Sequence, residues 1–315
     1  MKRIVAYVRR PDWAPHRALV DALRRSLPDH DVVEDADLGD DGRARVTVVV
    51  ADGPNAEQLA RLPRLAFVQS TWAGVEQILP IVPDGVAVAR MVDPQLTATM
   101  SEAVLAWTLY LHRDMPRYAA QQQRRDWKAL ESVLAGDRRV GVLGLGALGS
   151  AAATTLSGQG FDVAGWSRSP KTIGSIECLS GDTGLELLLA RSDIVVNLLP
   201  HTADTEGLLG VDAFTTMPPG ASLINFGRGQ TVDDAALLGA LDDGHLDHAV
   251  LDVFTIEPLP DDHRYWDHPH VTVLPHVSGP TSPATAAVIA ADNVRRFLVD
   301  GTLPTDALVD RTRGY

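Results

Sequence analysis

Cysteine is almost absent from this 315-residue chain: Cys178 stands alone, which excludes an internal disulfide and any cysteine-built metal cluster. Basic residues are scarce too. Lys and Arg number 28 against 41 Asp and Glu, a formal net charge of -13. Nucleic acid needs a basic footprint, so no nucleic-acid partner is expected. A small anion is not excluded, because a few cations and backbone N–H groups focused in a cleft are enough to hold one. Long apolar runs are missing: none approaches the roughly 20 residues that span a bilayer, and no membrane partner is expected. The first residues, Met1-Lys2-Arg3-Ile4-Val5-Ala6-Tyr7-Val8, enter a strand-like run without a small-residue cleavage site. No signal peptide is therefore expected, and the cytoplasm is the expected compartment. Internal repeats and low-complexity tracts are lacking as well.

What is present is a chain long enough for two cores, with 45% hydrophobic residues. Residues 4–8, 46–50, 65–70 and 86–89 are short β-branched-rich runs separated by helix-compatible stretches such as 17–27 and 57–62. That alternation predicts parallel βαβ units. Asp93-Pro94 interrupts it, and residues 97–123 read as a long helix that Pro116 should split at Met115. A second, stronger series follows, with strands expected at 140–143, 162–166, 193–199, 221–226, 248–254 and 271–274. Residues 171–180 have too weak a pattern to assign. Residues 279–283 look like a hinge, and 284–298 an alanine-rich helix that returns to cover the first domain. The fold class expected is α/β: a doubly wound parallel-sheet dinucleotide-binding domain, 97–280, and a smaller flavodoxin-like α/β substrate domain, 1–96 with 281–315.

The run Gly144-Leu145-Gly146-Ala147-Leu148-Gly149 follows one strand, opens an apolar helix and precedes another strand. In that context Gly-x-Gly-x-x-Gly predicts a dinucleotide site. Gly144 permits the tight turn, Gly146 the approach of a pyrophosphate and Gly149 close helix packing, with Ala147 and Leu148 at the helix N-terminus facing the phosphates. NAD sites usually end the next strand with an acid that holds the ribose 2′-hydroxyl. Here that acid is lacking. Asp162 sits at the strand's other end, and the strand closes on Ser167, Arg168 and, further on, Lys171, a cationic rim suited to a 2′-phosphate. NADP(H) is expected over NAD(H). Leu199 and Pro200 end the 193–199 strand on the same edge and are candidates for the nicotinamide half.

Three later strands each deliver one side chain: Gly227-Arg228-Gly229, Glu257-Pro258 and Pro275-His276. Ligands of an open α/β sheet bind beyond the carboxyl ends of its strands, so these should share a crevice. Reduction of a carbonyl beside a carboxylate needs a cation and a proton donor. Arg228, in space freed by its two glycines, suits the first role. His276, which follows a buried-strand pattern, suits the second, and Glu257 suits the partner that keeps it protonated. His201 is a rival proton donor. His245 and His248 lack a third ligand nearby, so no metal is expected.

These segments resemble the D-isomer-specific 2-hydroxyacid dehydrogenases over essentially the whole chain, the glyoxylate/hydroxypyruvate reductase branch most of all. Trp166-Ser167-Arg168 and the terminal Val309-Asp310-Arg311-Thr312-Arg313-Gly314-Tyr315 carry the likeness to that branch. The resemblance implies an Arg228, Glu257 and His276 triad, Asp252 near the nicotinamide, a preference for NADPH and a homodimer formed through the cofactor domain. Phe226 joins the cofactor-binding candidates. Trp72-Ala73-Gly74-Val75 matches the family's carboxylate loop, where the last three N–H groups form an anion nest. Trp72 stands where the family pattern has glycine, and Ser278-Gly279-Pro280 departs from its usual small-residue run. The expected function is NADPH-dependent reduction of a small 2-oxoacid partner such as glyoxylate or hydroxypyruvate. Two alternatives stay open: a bulkier, phenylpyruvate-type substrate with Trp72 as a stacking wall, and a non-enzymatic dinucleotide-sensing interaction protein.

Overall fold

Strands that are buried on both faces read as unbroken apolar runs, and parallel sheets are built from such strands. Val48–Asp52 and Ala221–Asn225 are of this kind, buried at every residue. The computed structural model describes residues 2–11, 16–312 and 314. It divides into two units, one of residues 1–96 with 281–315 and one of residues 97–280. Met1, and Arg313 and Tyr315 of the family-like terminus, lie outside the described residues.

The first unit is a five-stranded parallel sheet built from β1 (Ile4–Arg9), β2 (Asp31–Glu34), β3 (Val48–Asp52), β4 (Phe67–Ser70) and β5 (Ala87–Ala89). The order β2-β1-β3-β4-β5 is the flavodoxin-like one. Helices α1 (Arg17–Ser26), α2 (Asp40–Arg43) and α3 (Ala56–Ala60) connect these strands, and Asn55 and Gln58 form a reciprocal capping box on α3. The sequence pattern does not predict β2, because Asp-Val-Val-Glu offers only two apolar residues on an edge strand.

The second unit opens with α4 (Pro94–His112) and α5 (Met115–Arg124), separated by Asp114 at φ +53°. Pro116 falls in the first turn of α5, where its missing N–H costs nothing. Seven parallel strands follow: β6 (Arg139–Leu143), β7 (Asp162–Ser167), β8 (Glu177–Ser180), β9 (Ile194–Asn197), β10 (Ala221–Asn225), β11 (Leu246–Leu251) and β12 (Val271–Val273). Their order, β12-β11-β10-β9-β6-β7-β8, reverses direction between β6 and β9, the doubly wound arrangement with its switch point there. Helices α6 (Ala147–Gly158), α7 (Gly181–Arg191), α8 (Val211–Thr216) and α9 (Asp234–Asp242) connect the strands. The last helix, α10 (Pro283–Asp300), belongs to the first unit, where its Ala286, Ala287, Ala290 and Ala291 pack with Leu19, Leu23 and Phe67. Small side chains let it lie close against α1 and β4. Among the described residues no helix is long and apolar enough to cross a membrane.

Candidate active site

The turn after β6 has the shape a dinucleotide phosphate needs. Gly144 has φ +95°, and a Cβ there would meet the Leu198 carbonyl oxygen at 2.9 Å. A Cβ on Gly149 would lie 1.9 Å from Gly144 O, so α6 packs on the turn at a separation only glycine permits. At Gly146 nothing lies within 4 Å of the Cβ position. Open space there, at the N-cap of α6 and beside Ala147 and Leu148 in its first turn, leaves the helix's first N–H groups accessible to an anion. These residues fit a bound pyrophosphate.

The neighbouring strand β7 ends on the same edge with Ser167, whose Oγ donates to Ser169 O at 2.7 Å. Arg168 donates from Nη1 to Asp204 Oδ2 at 2.7 Å, and Lys171 is exposed three residues on. Asp162 lies at the far end of β7 and pairs with Arg191 at 2.7 Å. It is therefore distant from the turn. Leu199, buried, and Pro200, half-buried, follow β9 across the switch point, and Phe226 is buried after β10. The backbone N–H of Leu199 donates to Asn197 Oδ1 at 3.2 Å.

Arg228, Glu257 and His276 come together beyond the ends of β10, β11 and β12. His276 Nδ1 lies 2.8 Å from Glu257 Oε2, while Glu257 Oε1 accepts the Phe254 N–H at 2.9 Å. Both side chains remain partly open to solvent, His276 at 53% and Glu257 at 36%. The hydrogen bond to Glu257 raises the His276 pKa above its ordinary 6.5 despite burial, and the Glu257 and Asp252 charges add to it while Arg228 opposes. Burial by itself would raise Glu257. The bonds from His276 and from the Phe254 N–H, with the charges of His276 and Arg228, outweigh it and hold the carboxyl below its ordinary value. Arg228 thus acts electrostatically on both partners. Its backbone is extended, and its Nη1 donates to Gly227 O at 2.7 Å.

Two expectations are corrected here. The glycines beside Arg228 do not free space around it. A Cβ on Gly229 would lie 2.0 Å from the Phe254 carbonyl carbon, and one on Gly227 2.6 Å from Leu199 O. They allow the Arg228 loop to press against the Glu257 loop on one side and the β9 loop on the other. Nor is the strand before His276 buried: β12 is the edge strand, half-buried throughout. His276 itself has φ +53°, a left-handed conformation that costs a non-glycine residue about 1–3 kcal/mol.

Sequence reasoning missed the polar groups beneath Arg228. Asn197 Nδ2 donates to Asn225 Oδ1 at 2.9 Å and to Thr231 Oγ1 at 2.7 Å. Asn225 Nδ2 and Thr231 Oγ1 both donate to Arg228 O, at 3.2 and 2.6 Å. All three are buried, and such a satisfied network holds one backbone geometry. An Asn at the end of each of two adjacent buried strands was the available signal.

The other histidine candidates have partners outside the Arg228, Glu257 and His276 group. His201 lies in the β9 loop, 3.9 Å from Glu206. His245 Nε2 is within 3.0 Å of the Phe214 and Met217 carbonyls, and His248 Nε2 bonds Thr272 Oγ1 at 2.9 Å. Burial pushes His248 down to about 4. Among the described residues no group of His, Cys, Asp and Glu is placed to hold a metal. Trp72, Ala73, Gly74 and Val75 follow β4 in the first unit. Among the described residues, the N–H groups of Ala73, Gly74 and Val75 have no protein acceptor.

A model of the D-isomer specific 2-hydroxyacid dehydrogenase NAD-binding domain matches residues 105–278. A glyoxylate/hydroxypyruvate reductase A of Photorhabdus laumondii is 39% identical over 284 residues, covering 88% of this chain and 90% of that protein. Among solved structures, a D-isomer specific 2-hydroxyacid dehydrogenase of Xanthobacter autotrophicus Py2, in complex with NADPH and MES, is 36% identical with a TM-score of 0.93 and full coverage of both chains. An NADPH-dependent glyoxylate/hydroxypyruvate reductase of Sinorhizobium meliloti, in complex with NADP and sulfate, is 34% identical with a TM-score of 0.91 and the same coverage.

Proposed function

This chain belongs to the D-isomer specific 2-hydroxyacid dehydrogenase family, and from that premise we propose that it reduces glyoxylate, hydroxypyruvate and related small 2-oxoacids with NADPH. The observation that carries the reading is the 2.8 Å His276–Glu257 pair, within electrostatic reach of Arg228 and on the sheet edge that carries the glycine turn. Residues 97–280 form the dinucleotide-binding domain, and residues 1–96 with 281–315 the substrate domain.

Gly144, Gly146, Ala147, Leu148 and Gly149 hold the pyrophosphate, Ser167, Arg168 and Lys171 the 2′-phosphate, and Leu199, Pro200, Phe226 and Asp252 flank the nicotinamide. When bound, the reduced dinucleotide supplies a hydride for the carbonyl carbon of the substrate. Arg228 grips the substrate's carboxylate and polarises its carbonyl, because a guanidinium matches two oxygens at once. The N–H groups of Ala73, Gly74 and Val75 hold the carboxylate in an anion nest. Glu257 takes the Nδ1 proton of His276 as a hydrogen bond, which leaves Nε2 to deliver a proton to the carbonyl oxygen. Hydride on carbon and proton on oxygen make the 2-hydroxyacid. Arg228→Ala and His276→Ala should each abolish turnover while NADPH still binds, read by dinucleotide fluorescence; near-normal turnover in either variant removes that residue from the mechanism.

A homodimer accompanies this reading. Trp127 is wholly exposed in the strand-free arm after α5, with Leu134 and Met115 also exposed in the same unit, an apolar set that a second copy would cover. Light scattering of the purified chain tests it; a monomer would reject it. The single cysteine suits the reducing cytoplasm.

A further inference from the structure

Arg228, His276 and the anion nest account for the carboxylate and the carbonyl of a 2-oxoacid and leave its third carbon unplaced. In the first unit an open cavity of about 530 Å³ lies at the carboxyl ends of β1, β3 and β4. That volume falls within the roughly 300–1,000 Å³ of small-molecule sites. Its walls are mainly apolar: Pro11, Pro54, Ile78, Ile81 and the indole of Trp72, with Arg10 contributing a cation.

Two restraints fix the indole. Along its edge, Nε1 donates to Asp52 Oδ1 at 3.0 Å. Asp52 is 4% exposed and is itself held by the Tyr7 hydroxyl at 2.7 Å and the Thr71 hydroxyl at 2.9 Å, so the acceptor has nowhere to go. At its benzo ring the indole also lies against Gly53, where a Cβ would come within 2.5 Å of Cη2. Gly53 has φ +71°, which also favours glycine. A ring held at its Nε1 and pressed at its benzo end against Gly53 has little freedom left to lose on binding, and its apolar surface favours a flat partner. The nest N–H groups begin at the next residue, Ala73.

We propose that this cavity is the subsite for the C3 substituent of the 2-oxoacid and that it takes an apolar, preferably aromatic, group stacked on Trp72. Asp52 and Gly53 are positioning residues for the ring. The proposal rests on the reading of Ala73–Val75 as the carboxylate nest and extends the substrate class beyond the hydroxymethyl group of hydroxypyruvate.

The test is kcat/KM of the full-length enzyme with NADPH on glyoxylate, pyruvate, phenylpyruvate and 2-oxoglutarate. Pyruvate and phenylpyruvate differ only by the phenyl group. Wild type is expected to favour phenylpyruvate over pyruvate by about tenfold or more, the scale on which an apolar pocket discriminates. Trp72→Ala, which removes the wall, and Ile81→Trp, which fills the cavity from another side, should each shrink that ratio severalfold, chiefly through KM. Circular dichroism establishes that each variant is folded, and the wild-type ratio stands by itself if either is not. If glyoxylate is reduced but phenyl gives no advantage, or the variants change pyruvate and phenylpyruvate alike, the subsite is refuted and the proposed function survives. A preference for 2-oxoglutarate over phenylpyruvate would assign the cavity to Arg10 and refute it too. Failure to reduce any 2-oxoacid removes both.

Discussion

The carboxylate of Asp252 accepts the backbone N–H of Val277, at 2.7 Å, and takes that of Ser278 as well, at 2.9 Å. Asp252 is 1% exposed and follows directly on β11, whereas Val277 and Ser278 follow His276. The left-handed turn at His276 is therefore tied to the strand that leads into the Glu257 loop. A residue in a sparsely populated conformation persists only where its surroundings over-determine it, and here two charge-assisted bonds do so.

Asp252→Ala would leave two N–H groups without that acceptor, each costing about 1–3 kcal/mol where buried. Urea unfolding should show a loss of at least that size, with kcat falling more steeply than NADPH affinity. Unchanged stability would mean that the turn holds itself.

The pH profile follows from the His276–Glu257 pair. Reduction requires His276 protonated, and its raised pKa keeps that form populated above pH 6.5, with activity lost as pH climbs through the raised value. Glu257 is depressed, so the opposing limb lies below the ordinary carboxylate range. Glu257→Gln removes the largest influence raising His276. The alkaline limb of kcat/KM should then move to lower pH, while the acid limb is lost. An unmoved alkaline limb would assign it to another group.

How much of this could be read from the chain depends on where a residue sits in its sheet. β3 and β10 were legible because both faces are covered, leaving no polar alternation. β2 and β8 were not, since edge strands carry polar residues such as Asp31, Glu34, Glu177 and Ser180. Candidate side chains stood out because each comes just after a strand end. Asn197 and Asn225 did not, because a polar residue closing an apolar run reads as a stop signal, and only coordinates reveal that the two amides bond to each other. A glycine gives still less away. Its identity does not tell whether it makes room or permits contact, and at Gly227 and Gly229 the answer is contact.

Two glycines in the second unit put that distinction to the test. Gly229→Ala drives a methyl into the Phe254–Thr255 backbone, 2.0–2.4 Å away, where nothing flexible can yield. A loss of about 1–3 kcal/mol is expected from such overpacking, with turnover reduced as the Arg228 loop is pushed off. Gly239 lies inside α9 with nothing within 4 Å of its Cβ position. There alanine should stabilise by about 0.5–1 kcal/mol, because helix interiors disfavour glycine. Equal melting shifts of the two variants would contradict the close approach.

Cofactor choice turns on the Arg168–Asp204 pair, 2.7 Å apart with both side chains well exposed. An exposed pair of this kind is worth only about 0–1 kcal/mol, so a 2′-phosphate that offers Arg168 two oxygens and more charge displaces Asp204 at small cost. Arg168→Ala should lower kcat/KM for NADPH by about one to two orders of magnitude, the value of charge-assisted hydrogen bonds, and leave NADH nearly untouched because it lacks the phosphate. Asp204→Asn should act in the opposite sense. With its rival anion neutralised, Arg168 is more available, and the NADPH-to-NADH ratio should rise, by no more than about fivefold given the weakness of the pair. Added salt should narrow the ratio in wild type more than in Arg168→Ala, since screening acts on the charge that the variant lacks. An equal loss with both dinucleotides in Arg168→Ala would mean that the guanidinium supports the turn after β7 and does not read the phosphate.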